Sequence, residues 1–306
     1  GTVAITDLTV EAHWPAGTCD DNLYGILVAG GATLKASGVD LDGAGAEPIN
    51  GCQGGVGIQV GMAWTHPVEV GHARLSGDRV SGYQKNGITV DGAGSSARIS
   101  KVLVTGAGRT DETAQNGIQV SNGALGLIKN SEILDNECAA PSCGPDPLTD
   151  YQATGVLFYG AASGSNVMHS EMIGDDIGVY FGSESPVQAS SPEVTIGHDL
   201  TAADTEGVVL DQGDASIEET RIAGSGNVGV ALLQYEGQSY GPDSTATGDK
   251  ITDQASAGIK VFTDGAPGDE AGSFTISKSQ IDRGSEGQVA DPSSNFTISL
   301  VEDTEG

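Results

Sequence analysis

A short apolar strand led by glycine recurs along the chain, at Gly25, Gly57, Gly87, Gly117, Gly155, Gly178, Gly207, Gly229 and Gly258, with a degenerate tenth copy at Gly287. In each copy two apolar residues flank a third position, as with Ile58 and Val60, Ile88 and Val90, Ile118 and Val120, or Val179 and Phe181. A period of two sends that pair to one face of a strand and the residue between them to the other. Successive spacings are 32, 30, 30, 38, 23, 29, 22, 29 and 29 residues, so the smallest unit is 22 to 23 residues and longer copies carry insertions.

A second pattern runs beside the first: two apolar residues five apart, as in Leu34 with Val39, Leu75 with Val80, Ile99 with Val104, Ile128 with Ile133, Val167 with Met172, Ile217 with Ile222 and Ile276 with Ile281. An odd spacing cannot lie on one face of a single strand, so it marks two short strands joined by a bend. The bend holds Ala36, Gly77, Lys101, Asn130, His169, Glu219 and Lys278 in turn. With the glycine-led strand this makes three strands per repeat. The expectation is an all-β chain, a right-handed parallel β-helix of about ten turns from Gly25 to about Asp282, forming one domain over 1–306. Val3 with Leu8 and Phe296 with Val301 repeat the five-residue pattern close to the two ends, leaving little room for capping units, so a segment of a longer polypeptide is expected.

Composition fits a narrow coil better than a globule. Forty-seven glycines, 5% aromatic and 37% apolar residues would underfill a compact core, but suffice for a column one or two side chains wide. Thirteen Lys and Arg stand against 42 Asp and Glu, for a net charge of −29. That balance argues against nucleic acid and anionic membranes as partners; it suits the solubility of a long surface first and Ca²⁺ binding second. No run of eighteen apolar residues exists, so no membrane insertion is expected. Cys19, Cys52, Cys138 and Cys143 lie outside the repeats with no Cys-x-x-Cys spacing, which points to two disulfides in an extracellular chain. Of three possible pairings, Cys138 with Cys143 and Cys19 with Cys52 is expected, because each would staple a loop or adjacent turns.

Segments such as Asn116-Gly-Ile-Gln-Val120 followed by Leu127-Ile-Lys-Asn-Ser-Glu-Ile133 resemble the parallel β-helix repeats of the pectate-lyase-like superfamily. The resemblance covers nearly the whole chain and implies the fold; its members include polyuronate lyases, polygalacturonases, epimerases, phage tailspikes and proteins without assigned activity. The asparagine ladder familiar at their bends is mostly missing, with only Asn130 in place.

Counting from each five-residue pair to the next glycine puts long insertions at one corner: 40–56, 105–116 and 134–154. Insertions at the other edge begin at 61–74, with Trp64 and His66, and continue at 182–193, 233–245 and 262–273. Between these walls the floor would be the outward residues Gln59, Thr89, Gln119, Leu157 and Tyr180, with Asp91, Ser121 and Tyr159 two positions on. Amide, hydroxyl and aromatic groups on a rigid sheet suit carbohydrate, so Gln59, Trp64, Asp91, Gln119, Tyr159 and Tyr180 are the candidate sugar-binding residues. A solvated sheet face carries the same residue types.

Catalytic chemistry has thinner support. Asp175 and Asp176 resemble the adjacent aspartates of polygalacturonases, in which one carboxyl protonates the leaving oxygen and others activate water. The accompanying Gly-His-Gly is replaced by Gly71-His-Ala73 and Gly197-His-Asp199, and no Arg-x-Lys occurs. A Ca²⁺-dependent lyase would need clustered acids, for which Asp111, Glu112 and Asp135 are the candidates, and a base; Lys85, Arg109 and Lys260 are the basic residues nearest the groove. His66, Glu69 and His72 do not share a face of an extended segment. The expectation is an extracellular module that binds polysaccharide or a cell-surface partner without catalysis. A carbohydrate-active enzyme and a structural spacer or adhesin stalk are the alternatives.

Overall fold

The computed structural model describes residues 1–13, 19, 23–144, 146–150, 152–182, 194–203, 205–211, 213–234, 243–263, 272–282, 285–290 and 297–301. No helix occurs among them. The strands form three parallel sheets of 11, 10 and 10 strands, here sheets A, B and C, visited in that order on every turn. One turn consists of Gly71–Ser76 in A, Arg79–Ser81 in B and Asn86–Asp91 in C. Each strand pairs with its counterpart one turn away, as Ile99 does with Leu75 and Ile128, or Ile118 with Ile88 and Val156. The chain is thus the right-handed parallel β-helix that the repeat anticipates, with about ten turns.

In-register pairing turns the sequence periodicity into columns of stacked side chains. Leu75, Ile99, Ile128, Val167, Ile196 and Ile217 fill one inside the coil, and Val80, Val104, Ile133, Met172, Ile222 and Ile251 fill another. Burying each such side chain contributes roughly 1.5–3 kcal/mol. Thr201 occupies the Met172 position of the second column, and its buried hydroxyl lacks a partner.

The leading glycine of sheet C is required by close approach. A Cβ on Gly57 would lie 2.6 Å from both the carbonyl oxygen of Gly87 and Cγ1 of Val80, the sheet B residue pointing across the coil. That geometry repeats along the column, which is why glycine recurs where the strand turns inward.

The bend from A to B is one residue in the left-handed region, held in turn by Gly38, Gly77, Lys101, Asn130, His169, His198, Glu219, Gly248 and Lys278. The residue after it replaces the missing asparagine ladder with oxygen. Val39 N donates to Asp78 Oδ1 (2.8 Å), Ser131 N to Ser170 Oγ (3.2 Å), Ser170 N to Asp199 Oδ1 (2.6 Å), Thr220 N to Asp249 Oδ1 (2.8 Å) and Asp249 N to Ser279 Oγ (3.0 Å). Each bond hands a backbone amide that the sheets leave free to a side chain one turn on.

Four details of the sequence register shift. Ala36, not Leu34, stacks on Leu75, and Leu41 stacks on Val80, so the bend of that turn is Gly38. In the first turn Ile5 and Val10, not Val3 and Leu8, take these positions. Alanine is too small to stand out as a core residue, and Val39, like Val102, is apolar where most turns place Asp, Ser or Thr. Val301 pairs with Ser277 within sheet A, while Phe296 lies outside the described residues. Gly287 pairs with Ala257, which places it one residue ahead of the glycine column. The disulfides join Cys19 to Cys52 and Cys138 to Cys143, with Cα separations of 5.6 and 5.9 Å.

Candidate functional site

The three long corner loops leave sheet B side by side and return to sheet C. Gln84 binds the first of them to the coil: its Nε2 donates to the carbonyl oxygens of Asn50 and Cys52, and its Oε1 accepts from Ala46 N. Gln115 Nε2 donates to Tyr83 O (2.7 Å), and Ala139 N donates to Thr110 O (2.6 Å), coupling the second loop to the third. Between them lies a pocket of about 420 Å³ lined by Gln53, Lys85, Glu112, Ser142 and the Cys138–Cys143 bridge. The ammonium of Lys85 donates to Ala114 O, and burial brings its pKa down to about 8. A lysine in that range carries a useful fraction of neutral amine near neutral pH.

The opposite wall is a small hairpin, closed by the antiparallel bridge of Met62 and Glu69. Trp64 lies between these residues and is 54% exposed. The hairpin is tied down by the floor, because Ala63 N donates to Asp91 Oδ2 (2.7 Å) and Gln59 Nε2 donates to Gly61 O (2.6 Å). Gln59 and Asp91 are accordingly only 1% and 2% exposed, their polar groups turned to the chain itself.

A chain of hydrogen bonds crosses the floor from there. Ser121 Oγ and Asn122 Nδ2 donate to Asp91 Oδ1 (2.9 and 2.7 Å). Gln119 Nε2 donates to Ser121 Oγ (3.1 Å), Asn86 Nδ2 to Gln119 Oε1 (2.9 Å), and Asn116 Nδ2 to Asn86 Oδ1 (3.0 Å). Such a network fixes the orientation of every amide in it. Tyr159, 44% exposed, stands beside Ser121 on the next turn, followed by half-buried Tyr180, whose hydroxyl donates to Asp211 Oδ2 (2.9 Å). On the next two turns the outward column after Tyr180 becomes apolar, with Val209 and then Ala231, before Lys260. Val209, Ala231 and Leu233 are buried in a cluster outside the coil with Ile177, Val228, Leu148 and Phe262.

The adjacent aspartates are committed to the fold. Asp175 is buried inside the coil, where Oδ1 accepts from Asn136 N (2.9 Å) and Nδ2 (2.7 Å); burial raises its pKa well above the usual range. Asp176 Oδ2 accepts from Cys138 N and Ala153 N (both 2.9 Å), pinning both ends of the third loop. Glu206, which sequence reading passed over, accepts from Gln152 (2.9 Å) and Asn227 (2.8 Å), and burial raises its pKa to about 7. Asp111, Glu112 and Asp135 are not brought together: among the described residues no group of three His, Cys, Asp or Glu side chains could hold a metal ion. The donors present therefore do not fit a Ca²⁺ centre there. The insertions at 183–193, 235–242 and 264–271 lie outside the described residues.

Three stacked parallel sheets with long loops along one corner define the chain as a right-handed parallel β-helix. Neither a family model nor a curated protein matches the sequence. Similar solved structures include the periplasmic alginate epimerase AlgG (TM-score 0.65, 9% identity, 98% of this chain and 69% of that one) and pectate lyase Pel9A (0.53, 13%, 99% and 70%). An alginate lyase from Paenibacillus sp. str. FPU-7 is also similar (0.50, 12%, 97% and 91%). At these identities the likeness is one of fold.

Proposed function

We propose that the chain is an extracellular β-helix module that binds polysaccharide across sheet C, between the corner loops and the Trp64 hairpin, without catalysis of its own. The observation that carries this reading is the exposure of Tyr159 and Trp64 on either side of part-buried Gln119, whose amide is held in place by the buried hydrogen-bonded network from Asn116 to Asp91. Fixed amides and hydroxyls next to an aromatic face recognise sugar hydroxyls and ring faces with little ordering cost. Gln119, Tyr159, Tyr180 and Trp64 are the residues that would meet the sugar, and Gln59 and Asp91 would hold the wall and floor in place. Two disulfides and the polysaccharide-acting proteins that share the fold support an extracellular setting and a glycan partner over a protein on a cell surface.

Glycan arrays with neutral and acidic polysaccharides test it. Binding of neutral polysaccharide that falls at least tenfold in Tyr159→Ala and Trp64→Ala, without release of reducing ends, is the expected result. Neutral-polysaccharide binding that survives both substitutions would sink it.

One observation favours a second, enzymatic reading: Lys85, with its pKa brought down to about 8, lines a pocket at the edge of that floor. A neutral amine there could remove a proton beside a sugar carboxylate, as β-elimination and epimerisation require. Unsaturated product from a uronate polymer, abolished in Lys85→Met, would replace the binding reading with this one. The third possibility, a spacer or adhesin stalk, predicts no glycan binding at all.

A further inference from the structure

Sheet A carries a charge pattern at odds with the rest of the molecule. Its strands Ala32–Ser37, Gly71–Ser76, Ser96–Ser100, Leu125–Lys129 and Ser165–Met168 contain no Asp or Glu, in a chain with 42 of them. The same five strands hold Lys35, Arg74, Arg98 and Lys129, four of its thirteen Lys and Arg. Pairing aligns them: Lys35, Arg74 and Arg98 occupy one outward column on three successive turns, and Ser37, Ser76, Ser100 and Lys129 occupy the next. The three basic residues of the first column are exposed, and among the described residues none of the four makes an ion pair.

Like charges directly opposite one another on adjacent strands repel. Acidic residues are three times as abundant as basic ones here, so a single acid in the column would relieve that repulsion. Leaving three cations stacked about 4.8 Å apart is a cost that an anionic ligand would remove. The surface is also concave: a depression of about 590 Å³ is lined by Arg74, Ser76, Arg98, Ser100, Lys129 and His169.

We propose that this face of sheet A binds a linear polysaccharide bearing a carboxylate on each sugar, at a site separate from the sheet C floor. Guanidinium groups pair with carboxylates through two parallel hydrogen bonds, and the serine column beside them offers partners for ring hydroxyls. One turn of the coil rises by nearly the length of one pyranose unit, so successive carboxylates meet successive cations. Polynucleotides fit less well, because the five strands contain no Phe, Tyr or Trp on which bases could stack. The net charge of −29 confines any polyanion to this strip.

The test is titration of the full chain with polygalacturonate and alginate oligosaccharides at several salt concentrations, using wild type, Arg74→Ser/Arg98→Ser and Tyr159→Ala. Both arginines project into solvent, so the double variant should keep the wild-type Tm or exceed it as repulsion is removed. Expected are uronate binding that weakens with salt, a loss of at least tenfold with a shallower salt dependence in the double variant, and no change in Tyr159→Ala. Absence of uronate binding in the wild type overturns the proposal. So does equal binding by the double variant, or tighter binding of polyphosphate or single-stranded DNA than of the uronate polymers. Loss in Tyr159→Ala alone assigns the binding to sheet C, leaving the function proposed above intact and this site refuted.

Discussion

The side-chain amide of Asn136 donates a 2.7 Å hydrogen bond to Oδ1 of Asp175 inside the coil, and the hydroxyl of Tyr83 donates to Asn136 Oδ1 at 2.5 Å. Asp175 Oδ2 is buried without a partner, next to the glycine column at Gly155. An ionised carboxylate there would be costly, and burial keeps the proton on instead. Asp175→Asn should therefore fold normally and stay within about 1 kcal/mol of wild type at neutral pH, while gaining on it as pH rises. Chemical denaturation at pH 6 and pH 9 measures both; equal differences at the two values would show that Asp175 is already ionised.

Glu206 and Asp199, each raised to about 7, and Asp249, raised to about 6, are also held up chiefly by burial. For each, the folded state keeps its proton to higher pH than the unfolded chain does. Their stabilisation is complete below about pH 4 and is lost as pH climbs through the folded values. Stability, and Tm with it, should fall steadily from about pH 4 to about pH 7, by on the order of 3 kcal/mol for Glu206 alone. Thermal melts of Glu206→Gln should show a shallower slope over that interval.

The two kinds of glycine should respond differently to substitution. Gly57→Ala drives a methyl into Val80 and the carbonyl of Gly87, an overpacking expected to cost about 1–3 kcal/mol or more. Gly77 sits at a bend with φ of 69° and open space around it, where Asn130 serves two turns on. Gly77→Asn should cost under about 1 kcal/mol by urea denaturation.

Reduction should loosen the corner loops unequally. Loop-closure entropy assigns about 4 kcal/mol to the Cys19–Cys52 link, which spans 33 residues, and about 2 kcal/mol to Cys138–Cys143, which spans five. Paired Cys→Ser variants compared by calorimetry separate the two, and the first pair should lower Tm more.

The coil was legible in sequence because its two signals, the glycine-led strand and the five-residue pair, are repeated often enough to fix a register. Reading slipped where one residue broke the statistics. Ala36 hid a core position, and Val39 imitated one. The oxygen ladder escaped notice because Asp78, Ser131, Ser170, Asp199, Thr220 and Asp249 share no residue type, only an acceptor one position past the bend. The floor residues could be assigned to the outward face by period two, but their burial could not. It depends on a contact between Ala63 and Asp91, 28 residues apart, that no periodicity encodes. Lys85 looked like any corner lysine until the loops carrying Ala114 and Cys138–Cys143 closed over it.

The ladder at the bend also bears on mechanics. Its bonds, like those of the three sheets, run from each turn to the next along the axis of the coil, so tension applied to the two ends would peel away single turns in succession instead of shearing whole sheets. A rod built this way yields in steps. Each step would release about 100 Å of chain for a 30-residue repeat, and a tethered molecule would lengthen under load while its remaining turns kept their shape.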